Sequence, residues 1–532
     1  MKRFAALLDA LVYTTSRNRK LSLIAEYLRE TPDPDRGWAL GALTGSLEFS
    51  GVKIGAFRNL MKERVDPELW TLSRDFVGDT AETVSLLWPE PATPTCDIPT
   101  VSETVDLLTA MTRSSAPKEL PRLLDRLGEA ERYALVKLAT GGLRVGVSAR
   151  LAKTGFAKAF EVAVEEVEEY WHALQPPYAE LFAWAADGAA PPDTDSMPTF
   201  RPFMLAHPLE EEALDLADYA AEWKWDGIRV QVVRAGEETR VYSRSGDDIS
   251  AAFPEIAEAL TVAAVLDGEL LVRGDTQGGE AASFNALQKR LGRKTVSKKM
   301  REQLPAFVRL YDALIVDGED LRELSWEQRR TRLEALVPRL DSDHFDISAL
   351  IDAKNFAELA KIREGARDAA IEGLMLKRRD APYIAGRKAG LWYKWKRDPL
   401  LIDCVLMYAQ RGSGKRSSFY SDYTFGCWAG DPDADPENGA ELLPIGKAYS
   451  GFTDAELKKL DKLVRKTTLN RFGPVREVER TLVFEVAFDS VHTSTRHKSG
   501  LAMRFPRIHR IRWDKPVHEA DRIESLRALI RD

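Results

Sequence analysis

The chain has 532 residues, with 76 Lys or Arg against 83 Asp or Glu and a formal net charge of −7. That length suggests three or four domains and excludes a single small binding module, while the acidic balance excludes a globally basic, histone-like polyanion binder, so any nucleic-acid surface has to be local. The 44% hydrophobic and 30% charged content is that of an ordinary globular protein. No apolar run approaches the roughly 18 residues of a membrane span, and Asp9 interrupts the apolar start, which argues against a signal peptide. Cys96, Cys404 and Cys427 lie far apart with no CxxC pair, against both a disulfide framework and a zinc site. A cytoplasmic location is the expectation.

In chain order, residues 3–13, 20–31, 104–111 and 162–174 place apolar side chains at three and four spacing, so the first third reads as helical. Four prolines within 88–99 are too many for a helix or a central strand and join two helical lobes. The stretch GAAPPDTDSMP at 188–198 marks a domain boundary. Beyond it, residues 228–234 and 239–244 alternate around AGEE, the pattern of a hairpin. Apolar strands follow at 263–272, 306–316 and 371–377, separated by helical stretches at 284–291, 326–336 and 355–362. From about residue 398, short strands punctuated by glycines point to a small β-barrel. The chain thus divides into 1–195, 200–398 and 399–532, a multidomain all-α, α+β and β-barrel architecture with no internal repeat.

The most specific local feature is EWKWDGIR at 222–229. Lys224 enters a hairpin beside carboxylates, a glycine and Arg229. A lysine becomes a nucleophile only when its ammonium gives up a proton, which burial or neighbouring cations favour. Taken alone, an ion-paired lysine at a strand edge explains the fragment better. Further fragments shift that balance: Arg244 closes the hairpin, Asp267 and Glu269 end one strand, and Tyr311 and Asp312 lie in another. Glu372 and Lys377 share a third, and Lys394 and Lys396 share one face of WYKWK. Cations for phosphates, carboxylates for Mg²⁺ and an aromatic for a base together make a nucleotide site.

These fragments, in this order, resemble the ATP-dependent DNA ligases, members of the covalent nucleotidyltransferase superfamily that also holds RNA ligases and mRNA-capping enzymes. The resemblance implies a helical DNA-binding domain, an adenylyltransferase core and an OB-fold. It implies Lys224 as the catalytic residue that takes AMP, with Glu222, Arg229, Arg244, Glu269, Tyr311, Arg387, Lys394 and Lys396 binding ATP and with Glu269 and Glu372 binding Mg²⁺, for which Mn²⁺ can substitute. Glu222 would read the adenine and Tyr311 would stack on it. Arg504, Arg507, Arg512, Asp514 and Lys515 resemble the last motif of the family, whose residues orient the departing pyrophosphate. The implied reaction is sealing of nicked duplex DNA by a monomeric ligase with no membrane partner.

Two local basic features suit such a substrate. Residues 289–301 hold seven cations and no acid, among them Lys289, Arg290, Arg293 and Lys294, and the stretch resembles a DNA-contacting segment of DNA ligases, although a solvated helix face also explains it. Residues 496–515 hold seven Lys or Arg against one Asp. TGGLRVGVS at 140–148, with Arg144 and Gly146, resembles a turn of the helical DNA-binding domain, where glycine-exposed amides hold phosphates without reading bases. GSGK at 412–415 is not a P-loop, since residue 416 is Arg416 rather than Ser or Thr. His492, His497 and His509 lack metal-ligand spacing. Two rivals stand: an RNA ligase or capping guanylyltransferase, against which the helical third argues, and a silent DNA-binding scaffold, against which Lys224, Glu269, Glu372 and Lys394 argue.

Overall fold

The computed structural model describes every residue except 91–96, 195–196, 210–213, 275–286, 294, 366–370, 413–418, 433–439, 496 and 531–532. Cys96, Lys294 and Lys415, and residues 284–286 of the helix expected at 284–291, lie outside the described residues; of its remainder, 287–288 are helical and 289–291 form a turn. The chain folds as two compact units, Met1–Lys396 and Arg397–Asp532.

The first unit opens with twelve helices among the described residues, from Lys2–Tyr13 to Ala179–Asp187. They are amphipathic: Phe4, Leu8, Ile24, Leu28, Leu135, Phe156 and Phe182 fill one core. Helices Arg17–Glu30 and Ala149–Phe160 pack closely because Gly155 faces Ile24, where a Cβ would lie 2.6 Å from a methyl carbon. Between Glu129–Thr140 and Ala149–Phe160 the chain makes a tight turn. Gly141, Arg144 and Gly146 all take positive φ, +70°, +48° and +68°, and Ser148 caps the second helix by accepting from the Leu151 amide.

After residue 200 the apolar period changes from about 3.6 to 2, and two sheets follow. In the first, strands run in the order Leu350–Ile351, Tyr219–Trp225, Ile371–Arg378, Trp392–Lys396, His207–Pro208. In the second the order is Glu238–Ser243, Ile228–Ala235, Ala264–Val272, Ala306–Val316, Glu319–Asp320, with Phe345–Ile347 parallel to Ala306–Val316. The hairpin Ile228–Ala235/Glu238–Ser243 turns at Gly236, φ +56°. Helix Trp326–Leu336 starts at a reciprocal Ser325/Gln328 capping box. Phe203, Met204, Ala220, Val265, Leu314, Tyr383 and Trp392, drawn from both sheets and the segments around them, form one apolar cluster.

The second unit is a seven-stranded antiparallel sheet built around the 12-residue strand Leu400–Arg411. One half of that strand pairs with Val483–Phe488 and the other with Val475–Val478. The glycine punctuation predicts a region dominated by short strands. A 14-residue helix, Asp454–Thr467, interrupts them, opening at a Thr453/Glu456 capping box and burying Leu457, Leu460 and Val464. No helix among the described residues is long and apolar enough to cross a membrane.

Candidate active site

The site face of the first sheet follows from alternation. Glu222 and Lys224 are two residues apart on one strand and point the same way. Lys224 lies opposite Gly373 and Glu222 opposite Met375. Across the next pair, Gly373 lies opposite Lys396, Met375 opposite Lys394 and Lys377 opposite Trp392. One face therefore carries Glu222, Lys224, Lys377, Lys394, Lys396 and Trp392. The other, with Tyr219, Ala221, Leu374 and Leu376, is apolar and packs against Leu359. Gly373 sits between the lysines at φ +149°, where a Cβ would lie 2.2 Å from the Trp395 carbonyl oxygen.

Strict alternation would send Glu372 to the apolar face. The register shifts between Ile371 and Gly373, and this bulge re-aims the carboxylate: Lys224 Nζ donates to Glu372 Oε2, and Lys396 Nζ lies 3.3 Å from the same oxygen. Lys224 is 23% exposed and Glu372 17%, so the pair is sheltered yet reachable. Burial raises the Glu372 carboxyl, but Lys224 and Lys396 outweigh it and hold it below the ordinary value.

The second sheet supplies Glu269, whose Oε1 accepts the Gly227 amide at 3.2 Å. Gly227 is required there, since a Cβ would lie 2.4 Å from the Leu270 carbonyl oxygen. Burial pushes the Glu269 carboxyl up to about 7, with Lys224 opposing and Glu372 adding to the effect. The Lys394 ammonium is lowered by burial and then by the charges of Arg387, Lys396, Lys224 and Arg244. Five cations thus share one field, which suits a polyphosphate. Arg244, Arg387 and Lys396 are exposed at the rim.

Deeper in, Lys377 Nζ donates to Glu222 Oε1 at 3.1 Å, and both side chains are buried. The same ammonium lies 4.3 Å from the centre of the Tyr311 ring and 4.7 Å from that of Trp392. Tyr311 falls at a register shift of its strand. Arg229, expected from the sequence to hold ribose and phosphates, has its fork taken: Nε and Nη2 donate to Asp267 at 3.0 and 2.6 Å, and Nη1 donates to the Met204 carbonyl at 2.7 Å. Tyr383 Oη donates to Asp267 at 2.8 Å and completes that network. Asp312, beside Tyr311, is bonded through both oxygens to Arg329 at 2.8 and 2.9 Å.

In the second unit, Lys515 Nζ donates to Asp403 at 2.7 Å, and Arg512 Nη1 lies 3.5 Å from the same oxygen. Arg512 also grips Asp514, which holds that carboxyl down at about 2. Arg507 pairs with Asp489 at 3.0 Å, and Arg504 ends the strand Leu501–Arg504.

Of the expected DNA contacts, Arg144 and Gly146 are exposed on their strained turn, and Lys289 and Arg293 are exposed as well. Arg290 is a correction. Its side chain is 0% exposed, ion-paired to Glu255 at 2.5 Å and bonded to the Ala252 and Leu304 carbonyls, so it is a core residue out of reach of DNA. Sequence reasoning misses Asp403, Asp267, Arg329 and Tyr383 as partners, and also Lys20, which donates to the Val145 and Gly146 carbonyls at 2.7 and 2.9 Å and pins the turn. It counts Lys377 only among the cations for phosphates and misses its bond to Glu222, although the period-2 register with Gly373 and Met375 is a signal for the shared face.

The sequence description of the ATP dependent DNA ligase domain fits residues 203–396, and that of the ATP dependent DNA ligase C terminal region fits residues 416–515. The chain is similar to a protein of Koribacter versatilis named "Probable DNA ligase", 31% identical over 577 aligned positions that cover 100% of this chain and 96% of that one. It is also similar to a DNA ligase of Methanococcoides burtonii, 32% identical over 78% of this chain and 74% of that one. A solved structure, Pmar-Lig_PreS3, shares the fold at a TM-score of 0.61, covering 96% of this chain and 99% of that one at 15% identity. Together these matches cover more than half of the chain by family and nearly all of it by relatives, and the protein belongs to the ATP-dependent DNA ligase family.

Proposed function

We propose that this ligase seals 5′-phosphate/3′-hydroxyl nicks in duplex DNA with Lys224 as the residue that carries AMP. The observation that carries the assignment is the Lys224–Glu372–Lys396 arrangement facing Glu269. Lys224 gives a proton to the Glu372 carboxylate or to water, and its lone pair attacks the α-phosphorus of ATP. A P–N bond forms, the α–β P–O bond breaks and pyrophosphate leaves. A DNA 5′-phosphate oxygen then displaces the lysine, and a 3′-hydroxyl displaces AMP. Each step exchanges one phosphoryl bond for another and has a good leaving group. Lys394 and Lys396, with Arg244 and Arg387, balance phosphate charge, Lys377 holds Glu222 in place to read the adenine, and the base stacks on the ring of Tyr311.

Glu269 and Glu372, two carboxylates close enough for the charge of Glu372 to raise the Glu269 carboxyl, suit a hard divalent cation that completes its shell with water and phosphate oxygens. Among the described residues no group of three or more such ligands exists, which fits Mg²⁺ brought largely by the nucleotide. Bound there, it would neutralise charge on the transferring phosphoryl group. Arg504, Arg507, Arg512, Asp514 and Lys515 act on the departing pyrophosphate, with Asp403 holding the last cation. The three-domain division at 1–195, 200–398 and 399–532, duplex binding by the helical region, an OB-type barrel in the second unit and a monomeric state complete this reading. Incubation with ATP labelled at the α-phosphate tests it. Label should become covalently attached and be discharged by nicked DNA; attachment of label with no discharge by any nicked duplex would overturn the DNA assignment.

A further inference from the structure

The second unit gathers positive charge where folding alone disfavours it. On the hairpin Thr468–Phe472/Val475–Val478, Arg471 lies directly opposite Arg476, and like charges so placed repel. Arg411, Arg465 and Arg476 each bring a guanidinium to the buried ring of Tyr420, at 5.8, 5.4 and 5.8 Å from its centre. Arg465 is paired with Asp461 at 2.7 Å, and the same carboxylate accepts the Tyr420 amide at 3.0 Å. Among the described residues Arg476 donates to carbonyls of its own turn, Gly473 and Val475. Among the described residues neither Arg411, Arg471 nor Arg476 has a carboxylate partner. Glu477, the nearest acid in sequence, pairs across the hairpin with Asn470 rather than with an arginine. Among the described residues Asp461 is the carboxylate that pairs with one of these four guanidiniums, that of Arg465, and it is already engaged by the Tyr420 amide. One ring does not require three cations, and the attraction of each for it is weak at a surface. A charge surplus held on rigid strands is matched by an anion brought from outside, and the planar fork of arginine fits phosphate oxygens.

We propose that Arg411, Arg465, Arg471 and Arg476 form a binding site for the phosphodiester backbone of the DNA substrate, separate from the Arg512–Lys515 group. The proposal rests on the ligase reading above. It implies contact with phosphates and not with bases, consistent with an enzyme that acts on any sequence.

The test compares the full chain with its Arg411→Gln/Arg476→Gln double variant for binding of a nicked duplex over a salt series. If the site holds DNA phosphates, the log–log slope becomes shallower by about 0.9 for each phosphate no longer neutralised, one to two in all. Affinity at low salt then falls about tenfold or more, and the deficit falls on DNA-dependent steps, not on formation of lysyl-AMP from ATP. Because the variant removes mutually repelling charges, its thermal midpoint should stay level or rise. A lowered midpoint with unchanged salt slope would overturn the proposal and make the arginines packing residues of Tyr420. Slower lysyl-AMP formation, with inorganic pyrophosphate bound by the wild type and not by the variant, would give the site to free pyrophosphate and also overturn it. Failure of the wild type itself to bind or seal nicks sinks the ligase reading rather than the cluster.

Discussion

Lys224–Glu372 and Arg329–Asp312 are both cation–carboxylate pairs seated on or beside the strands of the first unit, and they differ in what decides reactivity. Arg329 and Asp312 are each 0% exposed and joined through two bonds, and the remaining fork of Arg329 donates to the Leu324 and Ala381 carbonyls. Every polar atom of that guanidinium is used, and an arginine does not lose its proton at any working pH. Lys224 shares a single carboxylate oxygen with Lys396, remains partly exposed and is a compact ammonium that can deprotonate. The comparison separates two uses of buried charge. A fully satisfied pair locks strand to helix, whereas a pair with one shared oxygen and an open side leaves room for a substrate.

The largest effect should come from Lys224→Ala. Lysyl-AMP formation from labelled ATP should fall by at least about 10⁴-fold, as nucleophile deletions do, while nicked-DNA affinity, which many phosphate contacts supply, stays within a few-fold of wild type. Covalent AMP on that variant would place the nucleophile elsewhere. The two pairs should then part company. Glu372→Gln should slow adenylylation by about 10²- to 10⁴-fold, the range of an acid–base group, with little change in thermal midpoint. Arg329→Met leaves a buried Asp312 charge unpaired and should cost about 3–5 kcal/mol of stability. A Glu372→Gln variant that melts as early as Arg329→Met would erase the distinction.

Glu269 gives the comparison a pH axis. Its carboxyl is raised to about 7 in the folded chain by burial, with Lys224 opposing and Glu372 reinforcing, and returns to an ordinary carboxylate value on unfolding. A group raised in the folded state favours folding most when it is protonated, so its contribution is complete below the unfolded pKa and is lost as pH rises through about 7. Without metal or nucleotide, Glu269→Gln should therefore gain stability relative to wild type between pH 5 and pH 8, on the order of 2 kcal/mol. Parallel melting curves for the two proteins across that range would refute the shift.

What the sequence made legible was local and periodic. Two-residue spacing put Lys394 with Lys396, and the structure shows that pair on one face of a strand, as it does Glu222 and Lys224, for which the spacing had not been used. Apolar period separated the helical third from the sheets. Partners distant in the chain left no such trace: Lys377 meets Glu222 across 155 residues, and Arg329 meets Asp312 across 17. The Glu372 bulge breaks alternation, so period alone would have aimed that carboxylate into the apolar layer. Helix Asp454–Thr467 had a readable capping box at Thr453 and Glu456, but it lies among strands whose glycines dominated the pattern.

Lys289 and Arg290 give the finest test, because they are neighbours in one basic run and differ only in where the chain turns them. Composition treats them alike. The structure exposes Lys289 and buries Arg290 against Glu255. If the exposed cations of this run meet the DNA backbone, Lys289→Gln should leave the thermal midpoint unchanged and reduce the log–log salt slope of nick binding by about 0.9, the value for a single phosphate. Arg290→Gln should do the reverse. It removes the close partner of the largely buried Glu255 carboxylate and leaves it only Arg301 at 3.9 Å, so the midpoint should drop by the equivalent of up to about 3–5 kcal/mol, while molecules that remain folded bind nicks with the wild-type slope. A slope change on Arg290→Gln as large as that on Lys289→Gln, measured well below its melting temperature, would show that both residues reach DNA and that this part of the fold opens when the substrate is bound.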